Sequence, residues 1–418
     1  MDKDFLSNFN LMEKSMNQKI LALTMAAALV VPMMAHADVK LSGTIQAETG
    51  SAKLGMAKDR LRITTDDEGA LLNGGPNNLS FDVDEKLSNG WSAMARYRVA
   101  FNTSKNVGLT GGDQAWVGLK MNSEAFYFRF GTLESNYKST KSLIDPFANT
   151  SLQARGTAGG MSGSTHLTVC VKEDTGLCQN YKKDGDSANI PSTLGDLGDR
   201  KALKGFTHNS ELHNALEVGS TMGGFSASLQ GVWDQTDVLN GGGLISLRYS
   251  HDNFDVFAAA AYTDLDDSVG SVSTSKLDSG GNWKVGGTAK FAGMTLGLQY
   301  EHAEIGTLTD SFFNKVKDGV TTVSPIAGTY LLGSIDFRAD NLAIGGWVAK
   351  YSEDKDEVKF SGNLNQKGEY DNDALSFAVG LKYFLSKRTL AFGGYQQTNS
   401  ENNIYDQKVV GVGVRHSF

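Results

Sequence analysis

Asp38-Val39-Lys40-Leu41-Ser42-Gly43-Thr44-Ile45-Gln46-Ala47-Glu48 is the stretch that decides the fold. Val39, Leu41, Ile45 and Ala47 share one parity, and Lys40, Ser42, Thr44, Gln46 and Glu48 share the other. Successive side chains of a strand point to opposite faces, so this segment is a strand with one apolar and one polar side. The alternation recurs in Leu79/Phe81/Val83, Trp91/Ala93/Ala95/Tyr97/Val99, Ala115/Val117/Leu119, Phe126/Phe128/Phe130, Leu212/Leu216/Val218 and Phe225/Ala227/Leu229. It continues through Ile245/Leu247/Tyr249, Phe254/Val256/Ala258, Trp283/Val285/Ala289/Phe291, Met294/Leu296/Leu298/Tyr300 and Leu331/Ile335/Phe337. The last segments are 342–352, where parity is ambiguous, Leu375/Phe377/Val379/Leu381/Tyr383, Leu390/Phe392 and Val410/Val412/Val414/Phe418. These make about sixteen strands, an even number as a bacterial outer-membrane barrel requires.

The faces and connectors favour that barrel over a secreted sandwich, jelly roll or adhesin. Phe, Trp, Leu and Val fill the apolar parity of nearly every strand, with Gly, Ser, Thr, Lys, Arg and Gln opposite. Lipid outside and water inside account for this pattern directly. Connectors after alternate strands are minimal: Ser88-Asn89-Gly90, Asn122-Ser123-Glu124, His251-Asp252-Asn253, Ala292-Gly293, Asp340-Asn341 and Ser386-Lys387-Arg388. The intervening ones are mostly long and polar, as in 49–77, 133–208, 264–281, 303–328 and 353–371. Short turns at one rim and long loops at the other are expected of periplasmic and external ends. Pro76, Pro146, Pro191 and Pro325 all fall in long connectors, where a missing N–H costs no ladder bond.

Composition agrees. The 418 residues hold 48 Gly, 5 Pro and 2 Cys with a formal net charge of -8. That excludes a disulfide scaffold, a strongly basic nucleic-acid binder and a disordered tail protein. From Met16 the chain reads as a Sec signal peptide, with Lys19, an apolar run from Ile20 to Val31 and a cleavage site at Ala35-His36-Ala37. Residues 1–37 are therefore the removed segment, 1–15 being an upstream extension, and 38–418 form a single barrel domain. No later apolar run reaches the length of a spanning helix, about 18 residues or more.

The quoted strand resembles the start of the Gram-negative general porins of the neisserial, β-proteobacterial type. So do Asn89-Gly90-Trp91, DQAWVGLKM at 113–121, YFRFGTLES at 127–135, Asp145-Pro146-Phe147, DNDALSFAVGLKYFLSKRTLAFGGY at 371–395 and the GVGVRHSF ending. The likeness covers both ends and the early strands, roughly half the mature chain. It implies a sixteen-stranded antiparallel transmembrane β-barrel, all-β, forming a homotrimer in the outer membrane. A third external loop is folded into the pore, and the assembly machinery reads the terminal Phe418. Asp82 stands where such porins often carry lysine, and the stretch 133–208 is long enough to hold an inserted external hairpin besides the constriction loop.

Inward parity collects Lys40, Arg96, Arg98, Lys120, Arg129 and Arg415 on strands 1, 3 to 5 and 16. Strand 16 neighbours strand 1 in a closed barrel, so these cations read as one basic wall. A lipid-facing arginine at midplane costs about 2–4 kcal/mol, which forces them inward. In a water-filled pore they stay solvated without buried partners and raise the local anion concentration within about 8–10 Å. Glu134 and Asp145 on the third loop are then the acidic side of a transverse field.

Cys170 and Cys178 lie in the lengthened loop, where a disulfide is the favoured reading, with free thiols or a metal pair as alternatives. Trp91, Trp283, Tyr300 and Tyr383 read as aromatic girdles. The histidines form no His-Glu-x-x-His pattern, and no Gly-x-Ser-x-Gly elbow or phosphate loop occurs. The sequence thus predicts a porin passing small hydrophilic solutes and inorganic ions with weak anion preference, with no reaction, cofactor or nucleic acid. Its partners are lipid and lipopolysaccharide. A substrate-selective channel or barrel enzyme is the alternative, and a secreted adhesin a more distant one.

Overall fold

The computed structural model describes residues 37–54, 60–64, 77–87, 90–101, 110–121, 125–154, 211–236, 239–265, 276–277, 280–305, 308–309, 322–323, 326–353, 373–400 and 407–418. Residues 1–36 of the expected signal segment, Cys170, Cys178 and the expected hairpin lie outside these residues.

Sixteen antiparallel strands form the wall. The first eight are β1 (Ala37–Leu54), β2 (Asn78–Lys86), β3 (Trp91–Ala100), β4 (Thr110–Met121), β5 (Tyr127–Glu134), β6 (Glu211–Met222), β7 (Phe225–Thr236) and β8 (Leu239–His251). The second eight are β9 (Phe254–Leu265), β10 (Gly280–Phe291), β11 (Met294–Ile305), β12 (Ile326–Ala339), β13 (Leu342–Glu353), β14 (Ala374–Phe384), β15 (Thr389–Ser400) and β16 (Gln407–Ser417). Each pairs with its sequence neighbour, and β16 returns to β1 in a register running from Thr44↔Ser417 to Leu54↔Gln407. Closure leaves no edge strand to be exposed in hydrocarbon. Among the described residues no helix is long and apolar enough to cross a membrane, so the crossing is made by strands.

The faces are inside-out relative to a soluble protein. On β14, Leu375, Val379, Leu381 and Tyr383 are exposed, while Ala374, Ser376, Ala378 and Lys382 between them are buried. Leu298 is 60% exposed and Trp283 44%, and Phe81 and Phe128 are half-buried, so none of the four sits in a dry core. Trp283 packs on Tyr300 with ring centroids 5.3 Å apart, as a girdle pair would. Gly223 and Gly224 form a further two-residue turn, absent from the sequence reading. Both take positive φ (56° and 83°), the left-handed conformation that a tight primed hairpin demands.

Two local shifts correct the sequence expectation. Between β5 and β6 the register slips at Gly131–Leu133, and Asn214 has φ 48°. This bulge flips parity, so Leu212 is fully buried whereas Val218 on the same nominal face is exposed. A second slip at Arg98–Val99 ends the β3 alternation, and Val99 is buried.

Candidate functional site: the bore and its inner loop

After Glu134 the chain does not leave the barrel. Residues 135–154, including a 3-10 turn (Lys138–Thr140) and the one-turn helix α1 (Lys141–Ile144), run along the inner wall. Their course is fixed by side chains of successive strands. The Asn136 N–H donates to Gln230 on β7 (2.9 Å), and the Tyr137 hydroxyl donates to Glu301 on β11 (2.9 Å). The Lys284 ammonium of β10 lies 4.3 Å from the Tyr137 ring centroid. Burial, reinforced by Glu301, holds the Tyr137 phenol well above its ordinary pKa, so this hydroxyl stays a donor. Ser334 on β12 donates to the Ile144 carbonyl (2.5 Å), and Lys382 on β14 to the Pro146 carbonyl (3.1 Å).

The far end is tethered at the barrel seam. Arg415 donates to the carbonyls of Asn149 (2.7 Å) and Ala148 (3.2 Å) and to Gln46. The Glu48 carboxylate accepts from the Ser151 N–H (2.8 Å) and from Gln46. The chain then turns back, with Trp347 donating to the Leu152 carbonyl (2.8 Å) and Tyr330 to that of Ala154 (2.9 Å). Phe147, Leu152 and Ile144 join Leu332, Trp347, Tyr330, Tyr351 and Phe257 in a buried apolar cluster. Part of the lumen is therefore dry protein core, which strict alternation did not foretell.

The opposite wall, β2 to β6, carries four of the six predicted cations, Arg96, Arg98, Lys120 and Arg129, and none of these four is partnerless. Arg96 donates to Asp82 (2.6 Å), Lys120 pairs with Asp84 (2.6 Å), and Arg129 pairs with Glu217 (2.8 Å). Glu217 is buried and also accepts from Tyr127 (2.7 Å) and Gln230 (2.9 Å). Trp116 stands between two arginines, its ring centroid 5.7 Å from the Arg96 guanidinium and 4.9 Å from that of Arg129. Arg98 lies across from Ser80 and Gln114 in register, and exposed Lys40 lies across from Asp82. Of the three carboxylates only Glu217 is buried, and there the Arg129 charge offsets the cost of its desolvation; Asp82 and Asp84 stay partly exposed in cross-strand pairs.

Three expectations need correction. Arg415 holds the inner loop through its carbonyls and does not stand free in the bore. Asp145 is buried (4% exposed) and turned into its own loop, accepting from the N–H groups of Phe147 (2.8 Å) and Ala154 (2.7 Å). Glu134 ends β5 on the cationic wall, where it accepts from Gln114 (3.2 Å). Neither acid faces the cations across the bore. Sequence reading missed Asp84, Glu217 and Trp116, although each shares the inward parity of the cations. Phe418 closes the seam, exchanging main-chain bonds with Gly43 (3.2 and 3.1 Å).

The sequence profile of the family described as Gram-negative porin matches residues 22–403. An anion-selective porin from Comamonas acidovorans is similar in structure at 15% identity and a TM-score of 0.62, over 92% of this chain and 100% of that chain. OmpF of Salmonella typhi, in complex with daunomycin, gives 0.57 at 14% identity, over 91% of this chain and 97% of the other. The trimer form of the Vibrio cholerae outer membrane protein OmpT gives 0.55 at 10% identity, over 91% and 99% respectively. At these identities the likeness concerns the fold. No curated protein sequence matches the chain.

Proposed function

The chain belongs to the Gram-negative porin family and is an outer-membrane porin for passive diffusion, and from that premise we propose that it favours anions weakly. The observation that carries the proposal is the pairing on the β2–β6 wall: Arg96, Lys120 and Arg129 each meet a carboxylate within 2.8 Å. Paired charges present dipoles to the bore where bare cations would present a field, and a modest excess of positive charge remains.

The working form is a homotrimer assembled after Sec export and removal of residues 1–37, with lipopolysaccharide around the external rim and assembly machinery reading Phe418. A Cys170–Cys178 disulfide clips the long external loop. Solutes pass between the paired wall and the loop at 135–154 without any covalent step.

Planar-bilayer conductance with zero-current potentials across a salt gradient tests the reading. Wild-type protein gives a small anion-sided potential, and the double substitution Arg96→Gln/Arg98→Gln moves it toward cations by uncovering Asp82. A potential unchanged by the double substitution overturns the selectivity assignment.

A further inference from the structure

Four consecutive strands each place a glycine at the same level on the inner face. Gly345 on β13 lies across from Gly380 on β14, Gly380 from Gly394 on β15, and Gly394 from Gly411 on β16. Gly411 in turn lies across from Gly50 on β1, so the row continues past the seam. Glycine weakens a strand interior, and five in register across adjacent strands marks a close approach by something else.

At four of the five the inner loop makes that approach, alongside the neighbouring strands at Gly345, Gly380 and Gly394, while at Gly50 only β16 is near. A Cβ built on Gly345 comes within 3.2 Å of Pro146, one on Gly380 within 2.8 Å of the Phe147 ring, and one on Gly394 within 2.8 Å of Leu152. At Gly411 the nearest atoms all belong to the loop: Ser151 Oγ, Ser151 Cβ at 3.4 Å and Leu152 at 4.0 Å. The Ser151 Oγ is buried there without a hydrogen-bond partner among the described residues.

We propose that this glycine row is a recessed seat that sets the free cross-section of the pore, by letting residues 146–152 lie flat against the wall. The seat makes these glycines size-determining residues for diffusion although none of them touches a solute. The inference rests on the diffusion reading above. Filling the seat pushes the loop into the bore and narrows it.

Single-channel conductance of Gly411→Ala and Gly411→Leu, set beside wild type, tests the proposal. Conductance falls in that order, with a loss of roughly a fifth to a half for the leucine, because a pore's conductance follows its open section. Ser151→Ala removes the clashing Oγ and restores the Gly411→Ala pore. Gly393→Ala, whose Cβ meets Val412 on the lipid side of the same sheet, leaves conductance unchanged. Ser151→Phe enlarges the same contact from the loop with every strand residue intact, and lowers conductance even if Gly411→Leu fails to assemble. Folded Gly411→Leu or Ser151→Phe pores conducting as wild type overturn the seat, as does an equal loss in Gly393→Ala. Wild-type protein that forms no pores defeats instead the diffusion reading beneath it.

Discussion

The β2–β6 wall and the β12–β16 wall close the same barrel and show the same alternation, yet they solve opposite problems. The first meets the bore with ion pairs: Asp82–Arg96, Asp84–Lys120 and Glu217–Arg129. The second meets a loop, with Trp347, Tyr330 and Leu332 packed on Phe147 and Leu152 in a water-free cluster. An inward position on a barrel strand is therefore not a hydrated one by default. What lies against the wall decides, and a covered wall obeys the packing rules of any protein interior.

The sharpest way to break this contrast is to loosen the covered wall. Phe147→Ala leaves a cavity over Gly380 and removes the central apolar anchor, at a cost of about 3–5 kcal/mol by analogy with buried aromatic deletions. The amides of 144–154 then exchange rapidly in hydrogen-exchange measurements while the strand amides stay protected. Unchanged protection at 144–154 would show that hydrogen bonds alone hold the loop.

A smaller effect is expected on the open wall. Glu217→Gln keeps the bond from Tyr127 but strips Arg129 of its counter-charge, and the zero-current potential moves toward anions by roughly a twofold change in permeability ratio. A shift toward cations would mean that Arg129 does not act on the bore. The least effect belongs to Lys40→Gln, since Lys40 is exposed and screened by salt. Its potential should match wild type at physiological ionic strength, and a shift comparable to that of Glu217→Gln would make Lys40 part of the selective section.

Much of this architecture was legible in the sequence, because a lipid-facing side chain answers to one rule and is written every second residue. The sixteen strands and most of the short turns follow from that rule alone. Bulges obey a different one: the extra residue near Asn214 reverses parity, and nothing in Leu212, Leu216 and Val218 announces it. The cations were visible but their partners were not, because pairing Arg129 with Glu217 requires the β5–β6 register across a long connector. Inward glycines were visible too. Their meaning appears only when Gly345, Gly380, Gly394 and Gly411 fall on one level, which is a property of four registers at once.

The bond exchange between Gly43 and Phe418 ends the one register that joins β16 back to β1. No stable tube exists until β16 has reached β1. A chain from which β16 is removed presents two raw sheet borders, open to mispairing and to proteolytic clearance. The integrity of the whole wall thus hangs on that single suture.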